Sequence, residues 1–166
     1  MSGLSGSGKS TTAQQLAVQQ GAIRLRSDAV RKHLAGVPLH EKAGNEVYTS
    51  AMTDKTYTRL IELGVQLAQQ GYRVILDAKF DRQAKRQEAI SAAQQQGVAL
   101  TFLHCIAPRD VLSARVSART GDIADANAEI LAKQTMEPFS DNAVVKTLDT
   151  THSQAEIQQQ LLDIFQ

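Results

Sequence analysis

The 166 residues suit one domain, long enough to bury a core without metals or disulfides, and the single cysteine, Cys105, rules out an internal disulfide. Eighteen Lys and Arg against seventeen Asp and Glu leave a net charge of +1, which offers no long-range field to nucleic acid or an anionic membrane. Four scattered histidines beside one cysteine have no zinc-ligand spacing, and no apolar run reaches the roughly eighteen residues of a membrane span, so the expectation is a soluble protein in a reducing, cytoplasmic setting.

Residues 3–10 read Gly-Leu-Ser-Gly-Ser-Gly-Lys-Ser and fill every fixed position of G-x-x-x-x-G-K-[ST]. Glycines at 3, 6 and 8 let the backbone curl so that successive N–H groups surround a phosphate, at the positive end of the helix expected over residues 9–20. The expected ATP contacts are Gly3, Ser5, Gly6, Ser7, Gly8, Lys9, Ser10 and Thr11, with the Lys9 ammonium on the β- and γ-phosphates and the Ser10 hydroxyl on Mg²⁺. Only Met1 and Ser2 precede Gly3, whereas a P-loop normally leaves the carboxyl end of a buried parallel strand. The sequence therefore predicts an empty lane in the sheet, flanked by residues 73–77 and 100–106, and a chain that is truncated or part of a longer one.

Gly21 stops the first helix, and residues 22–26 read as a short strand. Asp28 opens a short helix that Gly36 and Pro38 close, and residues 39–45 are polar and irregular. A long helix is expected from about 46 to 70, with Leu60, Leu63, Gly64 and Leu67 on its apolar face. Residues 72–77, Tyr-Arg-Val-Ile-Leu-Asp, form a strand ending in a carboxylate; a helix over 82–96, a strand over 98–106 and a helix from 110 to 119 follow. Beyond a polar connection at 120–126 come a helix at 127–135, a last strand at 143–148 and, after the capping-box sequence Ser153-Gln-Ala-Glu156, a final helix to about 165. Alternation of strand and helix predicts an α/β fold with a parallel sheet, helices on both faces and ligands at the carboxyl ends of the strands.

Asp28 and Asp77 both end a predicted strand on the edge that carries the P-loop. Moving a γ-phosphoryl group to an alcohol needs an acceptor for the hydroxyl proton, a metal ligand and positive charge on the transferred oxygens. Asp28 is the candidate general base, with a helix cap as its bland alternative, and Asp77 pairs with Ser10 as the candidate Mg²⁺ site. A carboxylate at the end of a buried apolar run costs several kcal/mol unless a cation meets it. Arg31, one turn after Asp28, is placed to hold the acceptor or a phosphate, with a surface ion pair to Asp28 as the alternative. Arg115 and Arg119, four apart on one helix face before Thr120-Gly121-Asp122, suggest a phosphate-binding lid, or else a solvated face.

Arg26-Ser27-Asp28-Ala-Val-Arg31, Val74-Ile-Leu-Asp77-Ala-Lys79-Phe80 and Ala114-Arg115-Val-Ser-Ala-Arg119, with the P-loop, resemble the P-loop kinases of an AAA-type ATP-binding family often fused behind aminoglycoside-phosphotransferase-like domains, and the kinase domain of polynucleotide kinases. Gln134 with Glu137-Pro138 is similar to gluconate-type kinases. The resemblance implies a nucleoside-monophosphate-kinase-like P-loop fold from Gly3 onward, Asp28 as general base, Arg31 at the acceptor or a phosphate, Asp77 as the second acidic position and Arg115 and Arg119 on phosphates. Lys79 departs from it, standing where these relatives usually carry Thr or Asn. The expected activity is an ATP- and Mg²⁺-dependent kinase acting on the hydroxyl of a small molecule. Its rivals are phosphorylation of a nucleic-acid 5′ end, which the near-neutral charge does not favour, and a non-catalytic ATP-binding module of a fused protein.

Overall fold

The computed structural model describes residues 1–118 and 128–165. In chain order the elements are α1 (Lys9–Gln20), β1 (Ile23–Arg26), α2 (Ser27–Ala35), a 3₁₀ turn (Asn45–Tyr48), α3 (Ser50–Gln69), β2 (Val74–Asp77), α4 (Gln83–Gln95), β3 (Phe102–Ile106), α5 (Arg109–Ser117), α6 (Ala128–Ala132), β4 (Val145–Asp149) and α7 (Gln154–Phe165). Elements and order follow the sequence reading, with shorter strands. The helix expected from residue 46 starts instead at Ser50, because the Thr49 side chain caps it by accepting the Met52 N–H at 3.2 Å. The predicted capping box does open α7: the Glu156 carboxylate accepts the Ser153 N–H at 2.9 Å.

Among the described residues both strand pairs are parallel. β1 lies beside β2 with Leu25 opposite Leu76 and Arg26 opposite Asp77, while β3 lies beside β4 with Cys105 opposite Leu148. Alternation along the strands sorts the core onto two faces. Leu103, Cys105 and Leu148 pack with Ala13 and Leu16 of α1 and Ile157 and Leu161 of α7. Phe102 turns the other way, with Phe80, toward Tyr57, Leu60 and Ile61 of α3 and Ile90 of α4. Cys105 is 1% exposed there, and burial pushes its thiol up to about 11, so thiolate chemistry is disfavoured.

Among the described residues β2 and β3 do not pair with each other; the lane between them is one strand wide and is filled only at its carboxyl end, by residues 1–3. On one side Ser2 N–H donates to Leu103 O at 2.8 Å and Cys105 N–H to Ser2 O at 2.9 Å. On the other the Met1 nitrogen donates to Leu76 O at 2.8 Å, and Gly3 N–H to Lys79 O at 2.9 Å. This stub delivers the P-loop to the middle of the sheet. Beneath it lies a cavity of about 910 Å³ walled by Val74 and Ile75 on one side and Leu100 and Thr101 on the other. The empty lane was expected; its closure at the top by only three residues was not.

Candidate active site

The P-loop joins the stub to α1. Gly6 and Gly8 have φ of +81° and +77°, and a Cβ on Gly6 would sit 2.5 Å from Leu112 O, so only glycine makes this turn. No side chain caps the N-terminus of α1, and the Ser7 hydroxyl is buried without a partner. An open helix N-terminus next to an orphaned hydroxyl and the Lys9 side chain fits the phosphates of ATP. Thr11, one turn into the helix, is exposed.

The two residues expected to hold Mg²⁺ meet: the Ser10 hydroxyl donates to Asp77 Oδ1 at 3.3 Å. Their hard oxygen donors fit Mg²⁺, which takes few protein ligands alongside water and phosphate oxygens. Asp77 is 4% exposed, and the cation it needs is Arg24, whose Nη2 and Nε donate to Oδ2 at 2.5 and 3.1 Å. The sequence reading missed Arg24. Its signal was a guanidinium two residues before the end of β1, which parallel pairing sets beside the carboxyl end of β2. Arg24→Gln removes one partner of a nearly dry ion pair and is expected to lower the unfolding free energy by about 3 kcal/mol in a urea titration.

Asp28 is the acidic residue in the first turn of α2, whose N-cap position, Arg26, makes no side-chain cap bond. Burial raises its pKa above the ordinary carboxylate value; Lys9, Arg26 and Arg31 oppose the shift, while Asp77 adds to it. Of the charges that act on it, that of the P-loop lysine is the strongest. Arg31 is 8% exposed, which excludes a surface ion pair: its Nη1 donates to Val47 O at 2.9 Å and Thr53 Oγ1 at 3.3 Å, and its guanidinium lies 5.0 Å from the Tyr48 ring centre. It thus pins the 3₁₀ turn and the start of α3 against α2. Lys79, the departure from the kinase pattern, forms an ion pair with Asp81 at 3.1 Å in the turn after β2. Phe80 in that turn has φ of +45° and is held there by Arg86, whose buried guanidinium donates to Phe80 O at 2.7 Å, and by Tyr57, whose hydroxyl accepts the Phe80 N–H.

Arg115 stands beside the P-loop with its guanidinium engaged: Nη1 donates to Thr150 Oγ1 at 2.9 Å and Gly6 O at 3.4 Å, and Nη2 to Thr150 O at 2.7 Å. Arg119 and the polar connection after it lie outside the described residues. Thr150, which the sequence reading did not single out, also donates to Ser7 O at 3.0 Å.

A parallel sheet with a P-loop at its centre and an Asp–Ser pair at the strand ends defines a nucleotide-binding α/β domain. The chain belongs to the AAA domain family (AAA_33), which matches residues 1–138. It is 33% identical over 131 residues to an uncharacterized protein of Mycobacterium tuberculosis, a match that takes in 76% of this chain and 26% of the relative. The chain thus spans about a quarter of the length of the curated relatives it matches. The fold is that of a gluconokinase from Sinorhizobium meliloti (TM-score 0.70, 22% identity, 98% of this chain and 87% of that one). It is equally that of the Mycobacterium tuberculosis APS kinase CysC, solved with AMPPNP and APS (TM-score 0.68, 22% identity, 98% and 93%). No described helix is long and apolar enough to cross a membrane.

Proposed function

We propose that the protein is an ATP- and Mg²⁺-dependent kinase that moves the γ-phosphoryl group onto a hydroxyl of a small molecule. The observation that carries this reading is the half-buried Asp28 carboxyl just past the carboxyl end of β1, with Lys9 the strongest of the charges acting on it and Arg26, Asp77 and Arg31 acting on it as well. Gly3 N–H is taken by Lys79 O and Ser5 N–H by Gln134, so the N–H groups at the start of α1 and Lys9 bind the phosphates, while Ser10 and Asp77 would hold Mg²⁺, which would neutralise charge building on the phosphate oxygens. Asp28 accepts the proton of the acceptor hydroxyl as the new O–P bond forms and the bond to the ADP oxygen breaks. Arg31 shapes the acceptor side by fixing the 3₁₀ turn. The likeness of fold to a gluconokinase agrees with a small hydroxylated acceptor.

The test is a panel of sugars, sugar acids, nucleosides and 5′-hydroxyl oligonucleotides with γ-labelled ATP and Mg²⁺. Label in a phosphate ester of a small molecule supports the reading; label only in the oligonucleotide moves it to a nucleic-acid kinase. A second reading, a non-catalytic ATP-binding domain of a larger protein, draws on the greater length of the curated relatives. Saturable ATP binding with label in no acceptor favours it.

A further inference from the structure

We propose that Gln134 is a positioning residue of the nucleotide site, acting through Ser5 to hold the P-loop in its phosphate-receiving shape. The inference rests on reading the P-loop as an ATP site. Gln134 is 129 residues from Ser5 in the chain, yet its side chain binds Ser5 at two points: Oε1 accepts the Ser5 N–H at 3.0 Å, and Nε2 donates to Ser5 Oγ at 3.0 Å. A backbone N–H can only donate, so the amide orientation is fixed by the partner. Gln134 is 7% exposed and Ser5 5%, so water does not compete for these bonds.

The glutamine is itself held by its backbone. Its carbonyl accepts Arg109 Nη1 at 3.1 Å, its N–H donates to Leu131 O at 3.0 Å, and Arg109 Nη2 reaches the carbonyls of Leu131 and Ala132, both at 3.2 Å. Leu131 packs with Leu112 and Val116 of α5, and the P-loop residue Leu4 lies against them. Structural cohesion in this corner is therefore supplied by backbone bonds and apolar contact, and the side-chain amide is spent on the P-loop.

Its role becomes clear from the neighbouring peptides. The Gly6 carbonyl is taken by Arg115, and the Ser7 carbonyl by Thr150. Three successive residues of the loop are thus bound by side chains from three separate parts of the chain, residues 115, 134 and 150. With Ser5 N–H turned to Gln134 and these carbonyls held, the loop cannot relax by flipping peptides, and the α1 N-terminus and Ser7 hydroxyl stay unspent for an anion. Such preorganisation lowers the cost of binding. Among the three, Gln134 is the one that supplies both an acceptor and a donor.

The test is titration of ATP with Mg²⁺ into the wild type, Gln134→Leu and Gln134→Glu, each with its melting curve, at pH 8 and at stepwise lower pH. Gln134→Leu keeps the volume and the backbone bonds but leaves Ser5 N–H without an acceptor; roughly tenfold or more loss of ATP affinity is expected. Gln134→Glu still accepts from Ser5 N–H and Oγ–H, so the loop shape survives, but it sets a negative charge behind the phosphate site. Its affinity at pH 8 is expected to fall at least as far and, relative to wild type at the same pH, to recover as the carboxyl takes up its proton. A purely structural glutamine would give lower melting temperatures with unchanged affinity of the folded fraction, or no pH-dependent recovery in the Glu variant; either result overturns the proposal while the ATP reading stands. A wild type that binds no ATP removes both together.

Discussion

Asp28→Asn is expected to lower the phosphoryl-transfer rate by about 10²- to 10⁴-fold while ATP affinity stays within about threefold, the size of loss usual when a general base is removed. Asparagine keeps the shape and hydrogen-bonding reach of the side chain and loses only the capacity to take a proton. The pKa shift sharpens the expectation. Burial raises the Asp28 pKa, so the folded state holds its proton more tightly than the unfolded chain does. Its contribution to stability is therefore present at acid pH and lost as the pH rises through the folded value. At neutral pH the ionised carboxylate costs stability, and Asp28→Asn should raise the melting temperature there even as it removes turnover. The acid limb of the kcat/KM profile should lie above the ordinary aspartate range. A variant with normal turnover and a lower melting temperature would make Asp28 structural.

Adding about five apolar, β-branched residues ahead of Met1 is expected to raise the melting temperature by on the order of 10 °C or more and to tighten ATP binding with it. The reasoning starts from the two open edges. Residues 1–3 already bridge β3 in parallel, with Ser2 opposite His104, and bond to β2 through the Met1 nitrogen on Leu76 O, so residues added in the same direction continue toward Val74 and Leu100. Each residue placed in the lane gains ladder bonds of about 1 kcal/mol and removes apolar wall from the cavity. The same stub leads straight into Gly3, so stiffening it stiffens the P-loop. A charged extension of equal length is the control, and equal melting temperatures for the two extensions would show that the lane does not accept a strand.

What the sequence disclosed and what it hid differ for a physical reason. Phosphate binding needs fixed residue types at fixed short spacing, so the P-loop was legible, and Asp77 could be set near Ser10 because strand–helix alternation puts both at the carboxyl edge of the sheet. Arg24 and Gln134 were not assigned their roles because those roles depend on neighbours distant in sequence: strand pairing brings residue 24 to Asp77, and packing of α6 on α5 brings residue 134 to Ser5. Strand ends were misjudged for a related reason. Residues 98–101 have the composition of a strand but face the open lane, and β3 begins only at Phe102, where Val144 O accepts its N–H. Arg31 shows the limit of helix-face reasoning: the one-turn spacing from Asp28 was right, but the 3₁₀ turn that claims its guanidinium carried no sequence pattern.

Titration of ATP with Mg²⁺ into wild type and Lys9→Ala decides whether a nucleoside triphosphate lies in the P-loop with Lys9 on its phosphates. Saturable one-site binding by the wild type and a loss of affinity of about 100-fold or more in the folded variant are expected, because charge-assisted contacts to phosphate are lost; melting curves of both proteins establish that each is folded. Equal affinities in two folded proteins would contradict that placement.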